Sequence, residues 1–273
     1  MASEGGLNRV VEELLRRDRM VVFAGLIILT VLAWSYLYYL TLQMGSPGMM
    51  VANANPDGGM AMSEMMKLAP WTSIDAILMF VMWAVMMAGM MVPSATPIIL
   101  LYARVVRKNA EKADPLVPTG AFFCGYLIVW TVFSAAATAL QFGLEQAALL
   151  SPMMISTSPV FGGLVLLGAA IYQWTPYKDA CLRRCRSPVW FLSTHWQDGT
   201  SGALRMGLLH GAYCLGCCWM LMLLLFVGGV MNLLCIAAIT IFVLIEKVLP
   251  RGRDIGRGAA VLMGLLGIYL IAG

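Results

Sequence analysis

Met206, His210, Cys214, Cys217 and Cys218 stand together in one apolar stretch. An α-helix turns about 100° per residue, so relative to His210 they fall near about −40°, 0°, +40°, −20° and +80°, an arc of about 120°. Thiolate and thioether are soft ligands and imidazole is borderline, a donor set that suits Cu(I). Gly211 and Gly216 lie among them and let a neighbouring helix approach closely. Buried Cys also serves as a small hydrophobe, but three Cys and a His on one face favour ligation.

A second stripe holds Asp75, Met79, Met82, Met86 and Met90, with Met87 and Met91 beside it. At helical spacing the thioethers run down one face for about 22 Å. Met is also a flexible apolar filler, and Asp75 reads equally well as a helix cap. A third group lies in a Gly-, Asn- and Pro-rich loop at 43–73, where residues 59–66 read G-M-A-M-S-E-M-M. Thioethers bind Cu(I) without deprotonation; an interfacial segment resting on the bilayer is the alternative. The fourth is T-P-Y-K-D-A-C-L-R-R-C-R-S-P, with Cys181 and Cys185. In a helix these thiols are i,i+4 neighbours, and Arg183, Arg184 and Arg186 are expected to lower their pKa. Cys124 and Cys235 are lone cysteines on spans and read as packing. Glu246 and Lys247 read as interfacial charges that snorkel rather than as a buried pair.

The elements that must position these groups follow from composition. Of 273 residues, 60% are hydrophobic and 12% charged, with a mean hydropathy of +0.82. That excludes a water-soluble globule, a disordered chain and a disulfide mini-protein. There are 22 Met, and the seven Cys are too odd a number for full pairing within one chain. The expected fold is all-α: a polytopic membrane bundle of about seven transmembrane helices. Residues 1–19 form a cytoplasmic tail, 20–42 an uncleaved anchor helix and 43–73 the Met-rich outer loop. Residues 74–273 form a six-helix core with a Cys-bearing cytoplasmic loop at 177–203. Its spans are expected near 74–92, 119–141, 159–176, 204–229, 233–249 and from 258 to the end, with Pro93 and Pro97 kinking or ending the first of them.

Charge tests that count. All but one of the 18 Lys and Arg fall in the N-terminal tail or in the connections near 103–118, 177–205 and 247–257. Seven alternating spans put them all on one side, the cytoplasm, with the amino end inside and the carboxyl end outside. This places the chain in a bacterial cytoplasmic (inner) membrane. No phosphate-binding glycine loop, nucleotide fingerprint or Ser-His-Asp arrangement is present. The basic loops are explained by topology and imply no nucleic acid.

The blocks W-A-V-M-M-A-G-M-M-V-P-S, T-P-Y-K-D-A-C-L-R-R-C-R-S-P, G-L-L-H-G-A-Y-C-L-G-C-C-W-M-L-M and I-E-K together resemble a bacterial family of predicted metal-binding integral membrane proteins. The resemblance covers about 70–250 and implies metal binding within a membrane; it implies no reaction. The expected metal is Cu(I), held by Met206, His210, Cys214, Cys217, Cys218, Cys181, Cys185, Met79, Met82, Met86 and Met90. Thioethers lie outermost, His and thiols near the middle, and a reduced dithiol inside. The expected role is non-enzymatic: inward passage of copper, or its membrane-bound delivery to a copper enzyme or copper chaperone. A thiol–disulfide relay through Cys214, Cys217 or Cys218 to Cys181, Cys185 or Cys124 is the enzymatic alternative. A non-catalytic subunit or assembly factor of a larger membrane complex is the third.

Overall fold

The structure is a computed structural model and describes residues 2–45, 71–109, 116–151 and 154–272. Most of the Met-rich loop therefore lies outside the described residues. Within them the elements are helices, in the order α1 (Ala2–Gly45), α2 (Ser73–Asn109), α3 (Leu116–Gln146), α4 (Pro159–Gln173), α5 (Pro176–Arg186), α6 (Pro188–His195), α7 (Gly199–Leu223), α8 (Leu225–Gly228), α9 (Leu233–Val248) and α10 (Gly252–Ala272). Among them five stretches are long and apolar enough to cross a membrane: Met20–Leu42, Ser73–Lys108, Leu116–Gln146, Gly199–Gly228 and Gly252–Ala272. Seven spans were expected; among the described residues five stretches reach that length, while α4 with 15 residues and α9 with 16 are shorter.

The α2 helix departs from expectation. It continues through Pro93 and Pro97 to Asn109 instead of ending near 92. Pro93 has no N–H to offer the carbonyl four residues back. That carbonyl, on Gly89, instead accepts from Trp34 Nε1 of α1 at 3.3 Å. Local sequence starts α4, α5 and α9 by one device, a Ser, Thr or Asn cap. Ser158 Oγ accepts from Phe161 N and Thr175 Oγ1 from Lys178 N, both at 3.3 Å, each with Pro at the first helical position. Asn232 Oδ1 accepts from Leu234 N at 3.1 Å and Cys235 N at 3.3 Å.

The most extensive helix pair is α3 with α7. A Cβ on Gly207 would lie 2.0 Å from the Phe122 carbonyl oxygen, and one on Gly125 would lie 2.3 Å from that of Leu204. Backbone therefore meets backbone, and the fit sets which face of α7 looks into the bundle. Gly207→Leu is expected to force these helices apart, a change beyond the about 1–3 kcal/mol of ordinary overpacking. Loss of the monodisperse peak on size-exclusion chromatography checks this; a wild-type profile would refute the close contact.

The α4–α5–α6 segment runs back along α7. Tyr172, near the end of α4, donates its hydroxyl to the Gly216 carbonyl. Next, Cys181 lies against Gly216, Arg184 over the Tyr213 ring at 5.0 Å and Phe191 against His210 at 5.3 Å. The two legs are antiparallel, so residues far apart in sequence share one level. Buried charge fixes that register. Lys178 Nζ donates to both carboxylate oxygens of Glu246 at 2.8 Å and also to Gln173. Asp179 Oδ2 pairs with Arg253 at 2.7 Å and Arg257 at 3.3 Å.

Candidate metal centre

Cys214, Cys217 and Cys218 are each 1% exposed, as are His210 and Met206. The face expected from their helical spacing points inward. The stripe on α2 also faces the interior: Met82, Met86 and Met90 are buried, and Met79 is half-buried. Thr72 caps α2, its Oγ1 accepting from Asp75 N at 3.3 Å, and Asp75 Oδ2 completes a capping box by accepting from Thr72 N at 2.9 Å and Thr72 Oγ1 at 2.7 Å.

The antiparallel return brings two separately expected groups together. Cys185 stands against Cys214 and Cys217, and Cys181 is beside Gly216 and near Cys217. The dithiol of α5 is not a separate inner stage; it completes the thiol cluster of α7. The expected effect of the arginines on these thiols is also overturned. Burial pushes the Cys181 thiol up, Cys217 adds to the rise, and Arg184 opposes it. Hydrogen bonding to Cys214 and Cys217, then burial, holds the Cys185 thiol well above its usual range. The guanidinium of Arg184 is directed to Tyr213, and that of Arg186 to the carbonyls of Leu249 and Pro250.

Sequence spacing does not reveal the groups that surround Cys214. Its sulfur is 2.9 Å from Lys247 Nζ and 3.2 Å from the Tyr126 hydroxyl. Lys247 also donates to Ser94 Oγ at 3.1 Å. Met91 Sδ of α2 lies 3.9 Å from Cys218 Sγ. The expectation that Glu246 and Lys247 snorkel is therefore wrong. Both are buried, and successive helical positions send Glu246 to Lys178 and Lys247 to the thiols. The available signal was their place inside the last turn of an apolar span, since ionisable groups within such spans pair with partners. A second polar chain was also missed. Trp83 Nε1 donates to Gln141 Oε1 at 2.7 Å, Gln141 Nε2 to Glu145 Oε1 at 2.8 Å and Trp71 Nε1 to Glu145 Oε2 at 2.7 Å. The Gln141 amide also touches Met79 Sδ at 3.8 Å. This chain holds the far end of α3 to the start of the thioether stripe.

Among the described residues, no three His, Cys, Asp or Glu side chains are grouped so that they could hold a metal ion. Thiol direction explains part of this: Cys217 and Cys218 both donate back to the Cys214 carbonyl at 3.0 Å. The donor chemistry nonetheless fits a soft ion. Sulfurs from α2, α5 and α7 converge, and all seven cysteines are free. Buried His210 leaves Nδ1 without a hydrogen-bond partner. Met206 is buried one turn before it on α7.

An all-helical bundle with sulfur and imidazole gathered in its interior has the donor set of a protein for soft-metal chemistry. The PpoB2 family, described as a copper chaperone, matches residues 80–270, and the chain belongs to that family. The resemblance read from sequence is met at the level of metal handling, with copper as the metal concerned. No curated protein and no solved structure matches the chain.

Proposed function

We propose that this chain is a membrane-embedded, non-enzymatic carrier that takes Cu(I) as cargo and hands it to a copper protein. The cargo seat is the cluster of Cys214, Cys217, Cys218 and Cys185, with Cys181 and Met91 at its margin and His210 one turn along α7. The thioethers Met79, Met82, Met86 and Met90 lead toward it through α2. The observation that carries this reading is the convergence of sulfurs from three helices in a chain of a copper chaperone family. Soft donors select Cu(I) over harder ions. Low coordination suffices for this d10 ion, and a shared, loosely closed donor set favours ligand exchange over storage. Cys217 and Cys218 would release their hydrogen bonds to the Cys214 carbonyl, lose their protons and turn toward the ion.

Anaerobic loading of the detergent-purified protein with Cu(I), followed by desalting and elemental analysis, tests the reading. Retained copper that passes to an apo copper protein is the expected result. A protein that retains no copper, or retains zinc equally well, would remove it.

A further inference from the structure

The chain contains only two histidines, and both rest on one phenylalanine. Phe191 of α6 is fully buried, with the His210 ring at 5.3 Å and 71° and the His195 ring at 5.1 Å and 19°. We propose that His195 is the exit ligand of the copper route, receiving the ion from His210 and the thiols past the Phe191 ring. This deepens the carrier reading and rests on it.

The two imidazoles differ as an inner and an outer ligand should. His210 is 1% exposed and its Nδ1 has no hydrogen-bond partner, so a coordinating nitrogen is kept among apolar rings. His195 is half-buried at the last position of α6. Its Nδ1 lies 3.3 Å from the Phe191 carbonyl and 2.8 Å from Thr194 Oγ1. A histidine that spends Nδ1–H on a carbonyl keeps the Nε2 lone pair for a metal, the usual support of a ligating imidazole. Trp190 at 5.6 Å and Tyr213 at 6.4 Å wall the His195 ring, and Arg184 lies over the Tyr213 ring at 5.0 Å. Phe191 touches both imidazoles, and an aromatic ring face attracts a cation. Tyr126 and Phe122 flank the His210 ring at 6.0 and 6.2 Å.

The step is a ligand exchange. A bond from copper to a cysteine sulfur or to His210 breaks as one to His195 Nε2 forms. Copper stays Cu(I) and no electron moves. A thiolate left behind takes one proton from water, and neutral His195 gives up none.

The test uses the full chain in detergent, loaded with Cu(I) under argon. Copper content is measured first. The rate of transfer to the Cu(I) chelator bathocuproine disulfonate is then followed by stopped flow. His195→Gln keeps the wild-type copper content, because the ion sits at the thiols, and slows transfer about tenfold or more. His195→Met, which restores a soft donor, recovers most of the rate; a merely structural role for the imidazole would not be rescued by a thioether. Unchanged transfer in His195→Gln, or failure of folded His195→Met to recover it, overturns the exit ligand while leaving the carrier reading intact. A wild-type chain that holds no copper removes the carrier reading, and the exit with it.

Discussion

Replacing Cys214, Cys217 and Cys218 together by Ser is expected to abolish copper retention while the protein remains folded. The three sulfurs share one buried face with His210, and no hydroxyl matches thiolate for a soft ion. Ser is nearly the size of Cys, so the cavity term is small. Each new hydroxyl inherits a partner: the Cys214 carbonyl accepts from positions 217 and 218, and Lys247 and Tyr126 face position 214. Affinity should fall by about 100-fold or more, since loss of an outer-shell partner alone typically costs 10–100-fold. Copper per chain after desalting, beside a size-exclusion trace, measures both halves. Wild-type copper in the folded triple variant would move the seat elsewhere. The same variant separates the thiol–disulfide relay, which requires a trappable mixed disulfide and no metal.

The second large effect concerns the pin that holds α5 in place. Lys178→Met should destabilise the protein by about 3–5 kcal/mol, the usual result of stranding one member of a buried ion pair. The pair is nearly sealed, with side-chain exposures of 2% and 3%. Glu246 would lose its cationic partner in an apolar interior, left beside Gln173 and Gly256. The double variant Lys178→Met/Glu246→Met should recover most of the loss, because the desolvation of both charges disappears with their attraction. Thermal unfolding of the two variants beside wild type checks the sign of both steps. A Lys178→Met protein as stable as wild type would mean that the pair does not hold α5. Copper retention should fall with the single variant as well, since α5 supplies Cys185.

The helical class and the inward face of α7 were legible because both rest on local periodicity. Hydropathy exposes long apolar runs, and a repeat near 3.6 aligns Met206, His210, Cys214, Cys217 and Cys218 whatever lies opposite. What stayed hidden depends on partners distant in the chain. Nothing in C-L-R-R-C says that α4 ends level with Gly216, or that α5 returns beside the helix bearing the other thiols. The arginines next to Cys181 were misjudged for the same reason: burial and Cys217 of another helix outweigh Arg184, which turns to Tyr213. Lys247 was misread because one helical step separates its surroundings from those of Glu246. The continuation of α2 through two prolines needed Trp34 of another helix to satisfy the freed Gly89 carbonyl.

The ammonium beside Cys214 bears on valence. Two thiolates, one lysine cation and one monovalent ion sum to zero, so a site closed on Cu(I) leaves no net charge in a medium where uncompensated charge is strongly disfavoured. A divalent ion in the same seat would leave an excess positive charge, and a third thiolate would be needed to cancel it. In a seat closed on two thiolates, the Lys247 ammonium would favour a monovalent passenger over a divalent one.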